Sequence, residues 1–294
     1  MTARLQSGFT LLEAIMVMVI TGAIAAVVAL FIVSPIEGYM DSAARAELSD
    51  VADTALRRIA RDVRLALPNS VRTTTGADGN VYMELLLTKT GGRYLSEEND
   101  PIAGLPLRFS AANCAGTPAD CQFNVLGTWP TGIQAIVPND EIVVFNLPPG
   151  SVPADAYNCG TSCNRARVTN VDAAARLITI NNNPFAQQTP RMRSPSNRFQ
   201  VVTTPVTYVC ANRQLIRYWG YPIQATQPED RTVLPLSTAN NALLATDVAT
   251  CNFTSNVLNT RNGAMVELQM TMGAATARSG AIHLVHQVLV DNTP

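Results

Sequence analysis

Histidine and lysine are scarce in this 294-residue chain, which contains two histidines and a single lysine, Lys89. The histidines, His283 and His286, lie in a segment with the pattern of a β-strand. Residues three apart on a strand point to opposite faces, so these two cannot bind one metal ion together. We expect them to be ordinary strand residues, and the sequence predicts no metal site.

Patterns typical of catalysis and of nucleic-acid binding are also missing. No nucleophile beside a base, ligand cluster or phosphate-binding loop stands out, so we predict no catalytic residues, no enzyme and no cofactor. The formal net charge of -1 provides no overall field that attracts nucleic acid. Arg191, Arg193 and Arg198 form a basic cluster that could touch DNA or an anionic cell surface. A solvated loop is the simpler interpretation, and we expect no nucleic-acid partner.

The N-terminal region is rich in apolar residues. Residues 9–33 contain one charged residue, Glu13, and about 20 apolar residues in a helix cross a membrane. A secretory signal peptide has a shorter apolar region followed by a small-residue cleavage site, whereas here the weakly suitable segment 23–26 is followed by further apolar residues. A plain membrane anchor fits the length but leaves Glu13 unexplained, because a charge at mid-bilayer costs about 2.5–3.5 kcal/mol. Near the interface the cost is lower, so a tolerated boundary charge is the alternative.

The residues around Glu13 resemble the type IV prepilin signature, in which a short polar leader and a glycine precede an aromatic residue and an apolar helix with glutamate at its fifth position. Here these are Gly8, Phe9 and Glu13. The resemblance implies that a prepilin peptidase removes the leader, residues 1–8, that the new Phe9 amine is methylated, and that the helix stays in the membrane lipid until filament assembly. An unpaired carboxylate in the apolar filament core is costly, so we expect Glu13 to face the amine of a neighbouring subunit.

The helix is expected to continue beyond the membrane segment, residues 9–34, into an amphipathic half, residues 35–68. Pro35 should kink it, and Pro68 should end it after Leu67. The apolar stripe comprises Ala44, Leu48, Val51, Ala55, Ile59, Val63 and Leu67. The charged residues, predicted to form a solvated back, are Arg45, Glu47, Asp50, Asp53, Arg57, Arg58, Arg61, Asp62 and Arg64.

The rest of the chain, residues 69–294, has the pattern of strands and loops. The predicted strands are 81–87, 141–147, 176–180, 199–210, 214–219, 265–271 and 282–290, with a hairpin turn at 211–213 and the last strand closing the sheet. Long loops are predicted at 89–104, 110–132, 148–165, 182–198 and 220–247. No strong helix follows residue 67, so we predict an α+β, pilin-like fold: one long helix on an antiparallel sheet.

Six cysteines lie beyond the apolar segment, and an even number in an exported region indicates disulfides. Six cysteines allow fifteen connectivities. Sequence proximity favours Cys114 with Cys121 and Cys159 with Cys163. Cys210 ends one predicted strand and Cys251 begins a later one, so a bridge between them would tie the hairpin to that strand, while a crossed set stays open. We therefore expect a periplasmic or extracellular body whose long loops are pinned by disulfides.

Three segments resemble the large minor pilins of mannose-sensitive haemagglutinin pili: residues 61–72, the strand pair 208–218 and the last strand, 282–288. The resemblance implies a minor pilin at the filament tip that primes assembly, with other pilin subunits and an inner-membrane assembly platform as partners. It also implies an inner-membrane precursor, single-pass and mainly periplasmic, that moves into a surface filament. The large minor pseudopilin of type II secretion systems and a tip adhesin are the alternatives.

Overall fold

The computed structural model describes residues 8–98, 103–110, 114, 117–160, 162–258, 263–273 and 280–292 of the chain. The predicted leader lies outside these residues except for Gly8, as do parts of the predicted loops 89–104, 110–132 and 148–165. The fold is α+β: a long N-terminal helix, α1, precedes twelve strands, β1 to β12, and all pairs between these strands are antiparallel.

Helix α1 spans Leu11–Arg64. It begins after Thr10, whose side-chain oxygen accepts a hydrogen bond from the Glu13 N–H, as an N-cap does. The helix is continuous through position 35, and the kink expected there stays a prediction.

The predicted end of the helix at Leu67 is three residues too late. The chain leaves the helix early because it pairs with strand β2 (Val81–Tyr94). The Thr88 N–H donates to the Leu65 carbonyl at 2.9 Å, and the Leu67 N–H donates to the Leu86 carbonyl at 2.7 Å. These strand-like bonds replace the last helical turn and fix α1 to the sheet.

The strands form two sheets. Their bounds are β1 Arg72–Thr75, β2 Val81–Tyr94, β3 Gln122–Leu126, β4 Glu141–Val143, β5 Arg165–Asp172, β6 Leu177–Ile180, β7 Arg198–Ala211, β8 Gln214–Trp219, β9 Asn240–Ala245, β10 Val248–Leu258, β11 Gly263–Met272 and β12 Ile282–Asp291. The large sheet has the order β1-β2-β3-β6-β5-β4-β7-β8-β9, with an additional β2–β7 pairing, and the small sheet has the order β10-β11-β12.

The β2–β7 pairing divides the body into two regions. It closes six strands of the large sheet, β2-β3-β6-β5-β4-β7, into a ring whose interior is apolar and contains a T-shaped contact between Phe123 and Phe199. Gly92 is required here, because a Cβ at that position would lie 2.8 Å from the Phe199 ring. The other ends of β2 and β7 continue with β1, β8 and β9 into the region that carries α1.

The strand predictions are confirmed for most of their length, and the hairpin between β7 and β8 is confirmed with Asn212 and Arg213 both at positive φ. The strand predicted at 141–147 ends at Val143, because Phe145 adopts a φ of 53° and breaks the extended backbone. The sequence pattern missed β1, β3, β5 and β9, whereas the strand predicted to begin at Cys251 is confirmed as β10. It also assigned residues 89–94, which complete β2, to a loop.

The prediction of one sheet closed by the last strand is wrong. Strand β12 pairs with β11, and β11 with β10, in the small sheet. The alternating residues of these strands do have one buried and one exposed face, as expected. The buried face covers α1 together with the large sheet, so the helix lies in a core that both sheets share.

The three favoured disulfides are confirmed: Cys114–Cys121, Cys159–Cys163 and Cys210–Cys251. The first precedes β3 and the second precedes β5, so each closes a short segment beside the ring of six strands. The third joins β7 of the large sheet to β10 of the small sheet, with 6.0 Å between the Cα atoms.

Candidate functional site

The first part of α1 is a candidate membrane segment. Leu11–Ala29 has a mean hydropathy of 2.5, and none of it is buried by the rest of the protein. It is long and apolar enough to cross a membrane, as a membrane anchor or a signal sequence would be. Thr21 lies within it, and its hydroxyl donates to the Val17 carbonyl, which satisfies this polar group without water.

Glu13 is the acidic residue of the first turn of α1. Within the described part of the chain it has no ion-pair partner, and the helix dipole there favours a negative charge. Gly8 has no atom close to where a Cβ would lie, and Phe9 is 82% exposed. The three residues of the predicted processing and assembly site are therefore all exposed at the start of the helix.

The second half of α1 is fixed in the core by small and branched side chains. The buried apolar positions are Ala52, Ala55, Leu56, Ile59, Ala60 and Val63. They pack against residues of both sheets, including Leu85 and Tyr208 of the large sheet and Leu268 and Val288 of the small one. Three alanines allow the sheets to approach the helix axis closely. The part of α1 before residue 40 thus projects from a segment that is enclosed on two sides.

A buried ion pair also joins α1 to the large sheet. Asp62 is 4% exposed, and its Oδ2 accepts from the Arg217 Nε at 2.8 Å and from the Tyr208 hydroxyl at 2.7 Å. Arg217 and Tyr208 are cross-strand neighbours on β8 and β7. Burial, with Asp62 adding to it, raises the pKa of Tyr208 above its ordinary value, so the phenol stays protonated and donates. The cluster fixes the rotation and height of α1 on the sheet.

The prediction that Asp62 lies on the solvated back of the helix is wrong. Asp62 follows Ala55 by seven residues and Ile59 by three, which places it on the buried face. The spacing contains this signal, but a charged side chain without a known partner ordinarily indicates exposure. Its buried partner, Arg217, lies in a strand that was predicted.

A second buried carboxylate, Glu84, lies on the face of the large sheet away from α1. Arg72, its neighbour on β1, donates to Glu84 from Nε at 2.6 Å, and the Tyr221 hydroxyl donates to Glu84 at 2.8 Å. Arg72 also donates to the carbonyls of Gln224 and Ala225. The network attaches the start of the 220–239 segment to the sheet, which explains how a segment of this length is held.

The basic cluster of Arg191, Arg193 and Arg198 is only partly exposed to solvent. Arg193 forms ion pairs with Glu97 and Glu98, and its guanidinium lies 5.2 Å from the centre of the Phe109 ring. Arg191 and Arg198 are exposed. Arg193 therefore holds two loops together, and the three arginines do not form one solvated cluster.

The two histidines lie on opposite faces of β12, as predicted. His283 is exposed and its Nδ1 is 3.0 Å from the Thr271 hydroxyl, whereas His286 faces the half-buried side.

Comparisons of the chain with protein-family models, with curated protein sequences and with solved structures give no match.

Proposed function

We propose that the chain is a minor pilin: a subunit of a type IV pilus-like filament, located at the tip, where it primes assembly. In this proposal the precursor crosses the bacterial inner membrane once with its body in the periplasm. Prepilin peptidase cuts it after Gly8, and the assembly platform transfers it into the filament. Its partners are membrane lipid before assembly and other pilin subunits afterwards.

Glu13 carries the proposal. It is the single charged residue of the apolar segment 9–33, and no described residue of its own chain neutralises it. A carboxylate that enters an apolar helix bundle needs a cation from another molecule. Cleavage after Gly8 creates such a cation, the Phe9 amine, close to Glu13 of a neighbouring subunit.

The attachment of α1 supports the same role. A 54-residue helix is about 80 Å long, and only its last third is enclosed by the body. The exposed part is available to pack with other helices, while the Asp62 cluster and the two sheets set the orientation of the body. Such a division suits a subunit whose helix assembles and whose body is displayed.

Processing is the direct test of the proposal. The mature protein purified from its host should begin at Phe9 and carry one added methyl group on the amine. Mass spectrometry of the N-terminal peptide measures both. A chain that begins at residue 1, or that is cut near residue 26 as a secretory signal would be, contradicts the proposal.

Replacing Glu13 should impair assembly without affecting folding. Glu13→Ala should enter the membrane normally, yet its amount in purified filaments should fall at least about tenfold, because the amine of the neighbouring subunit is left buried and unpaired. The matched control is Thr21→Ala, which removes a polar group from the same segment that is already satisfied within the helix. Normal incorporation of Glu13→Ala would count against the pairing role.

A further inference from the structure

Two arginines lie directly opposite each other on the outside of the ring of six strands. Arg93 of β2 and Arg198 of β7 are cross-strand partners, and both side chains are exposed. Their neighbours Tyr94 and Phe199 face the apolar interior, as the alternation of a strand requires. Like charges in directly opposite positions destabilise a pair of strands. An anion between the two guanidinium groups would relieve this repulsion.

Among the described residues no acid neutralises either arginine. Neither Arg93 nor Arg198 takes part in an ion pair there. The acids that follow Arg93 on the chain, Glu97 and Glu98, both pair with Arg193. The fold thus divides the basic cluster of the sequence, because Arg193 joins two loops while Arg198 lies beside an arginine of another strand.

A tight turn before β7 fixes the positions of both side chains. The Asn197 N–H donates to the Ser194 carbonyl at 3.0 Å. The Arg198 N–H donates to the hydroxyl of the buried Ser194 at 3.1 Å. The Arg93 Nε donates to the Ser196 carbonyl of the same turn at 3.2 Å, while its two terminal nitrogens have no acceptor among the described residues. The two guanidinium groups are therefore held on one surface before any ligand binds.

A groove lies beside the arginines, with a volume of about 300 Å³. Its lining includes no acid and comprises Gly91, Gly92, Arg93, Arg198, Phe199 and Gln200. Gly91 is exposed and is the cross-strand partner of Gln200, so no side chain covers the backbone of β2 there. An anion can therefore approach both guanidinium groups from solvent, with the Gln200 amide as a further donor.

The charge and the number of donors select the class of anion. Each guanidinium group offers parallel N–H groups that match two oxygens of an anion. A carboxylate or a phosphodiester has two free oxygens and one negative charge, which a single arginine satisfies. A phosphate monoester has three free oxygens and a charge of about -1.5 to -2 at pH 7, which matches two arginines.

We propose that Arg93 and Arg198 form a binding site for a phosphate monoester group, as carried by a phosphorylated sugar or by a lipid headgroup. The groove lies on the ring of six strands rather than on the exposed part of α1. This inference therefore goes beyond the proposed function and does not depend on it.

Phosphate binding by the full-length protein tests the site. The protein is purified in a phosphorus-free detergent and titrated with methyl phosphate at constant ionic strength, with the phosphorus NMR line width of the ligand as the signal. We expect saturable binding with a dissociation constant on the order of 1 mM. Dimethyl phosphate, the matched phosphodiester, should bind at least about fivefold more weakly, because it lacks the third oxygen and the second charge.

Substitutions test the role of each arginine. Arg93→Ala and Arg198→Ala should each weaken binding of methyl phosphate at least about fivefold, the loss of one exposed ion pair. Both should leave the thermal midpoint of the ligand-free protein unchanged or slightly higher, since they remove a like-charge contact. Arg93→Lys keeps the charge but not the parallel donors, and should weaken binding at least about threefold. The control Arg61→Ala removes an exposed arginine of α1 that also contacts no acid among the described residues, and should leave binding unchanged.

Two further ligands identify the carrier of the phosphate group. Glycerol phosphate represents a lipid headgroup and glucose phosphate a phosphorylated sugar. Tighter binding of one of them than of methyl phosphate assigns the carrier, and equal affinities mean that the site recognises the phosphate group alone.

Three results would overturn the site: no saturable binding, equal binding of methyl and dimethyl phosphate, or an unchanged affinity in Arg93→Ala and Arg198→Ala. An unchanged affinity in Arg93→Lys would contradict recognition through parallel donors. Because the measurement needs no filament, none of these results bears on the proposed function.

Discussion

Asp62→Ala should lower the free energy of unfolding by about 3–5 kcal/mol, the cost of breaking a buried ion pair by removal of one partner. The substitution leaves the Arg217 guanidinium, 8% exposed, without its carboxylate, and the Tyr208 hydroxyl without its acceptor. Because this cluster joins α1 to the sheet, the loss should be concentrated in the region that holds the helix. Urea unfolding of the full-length protein in detergent, followed by the fluorescence of Trp219, measures it, since Trp219 lies 5.0 Å from the Arg217 guanidinium.

Two control variants test whether the loss of stability comes from the burial of the Asp62 cluster or only from the removal of a charge. Asp53→Ala removes an acid from the same helix whose partner, Arg57, is exposed, and it should cost only about 0.3–0.5 kcal/mol. The triple variant Asp62→Leu, Arg217→Leu, Tyr208→Phe removes the whole cluster and should be more stable than Asp62→Ala, because no polar group is left unsatisfied. Equal losses for Asp62→Ala and Asp53→Ala would show that the cluster does not hold the helix.

The case of Asp62 also shows where prediction from sequence fails. The helix, its extent to within a few residues and its apolar stripe follow from periodicity, since each depends on residues close in sequence. Whether a charged residue beside the stripe is buried depends on its partners, here Arg217 and Tyr208, about 150 residues away. The local spacing places Asp62 on the apolar face, but no residue near it in sequence indicates that partners are present to satisfy a buried carboxylate.

The sheets show a related limit. Alternation identified the long strands, because it reports which face of a strand is buried. It does not report which neighbour a strand pairs with, so the separate sheet of β10 to β12 and the closure of the ring through β2 and β7 were not predicted. Strands β3 and β9 are short and lie within segments rich in Pro, Gly and Asn, where loop composition outweighs five or six residues of strand pattern.

The candidate site rests on a contiguous motif. Gly8, Phe9 and Glu13 lie within six residues and are exposed at the start of α1, while their roles in processing and assembly stay predictions. Proximity favours the two short cysteine pairs, and the positions of Cys210 and Cys251 in two predicted strands favour the third; the structure adds that these strands belong to different sheets. Cys210–Cys251 is the covalent connection between the two sheets that enclose α1.

Removing this connection should destabilise the protein more than removing either of the others. Cys210→Ser with Cys251→Ser opens a loop with a separation of 41 residues, for which chain-entropy arguments give about 4 kcal/mol. The separations of 7 and 4 residues at Cys114–Cys121 and Cys159–Cys163 give only about 2 kcal/mol each. For a body of this size the thermal midpoint should fall by about 8–16 °C in the first case and about 4–8 °C in the others.

The two tryptophans allow the effect to be located. Trp129 packs against the apolar interior of the ring of six strands, and Trp219 packs against the core that holds α1. In single-tryptophan proteins, made with Trp129→Phe or Trp219→Phe, loss of Cys210–Cys251 should lower the midpoint reported by Trp219 at least as much as that reported by Trp129. Loss of Cys159–Cys163, which lies beside the ring, is the matched control and should act mainly on the Trp129 signal. The contrary result would be a smaller loss of the Trp219 midpoint on removal of Cys210–Cys251 than on removal of Cys159–Cys163. Because the sheets enclose α1 from two sides, it would mean that packing alone holds them around the helix.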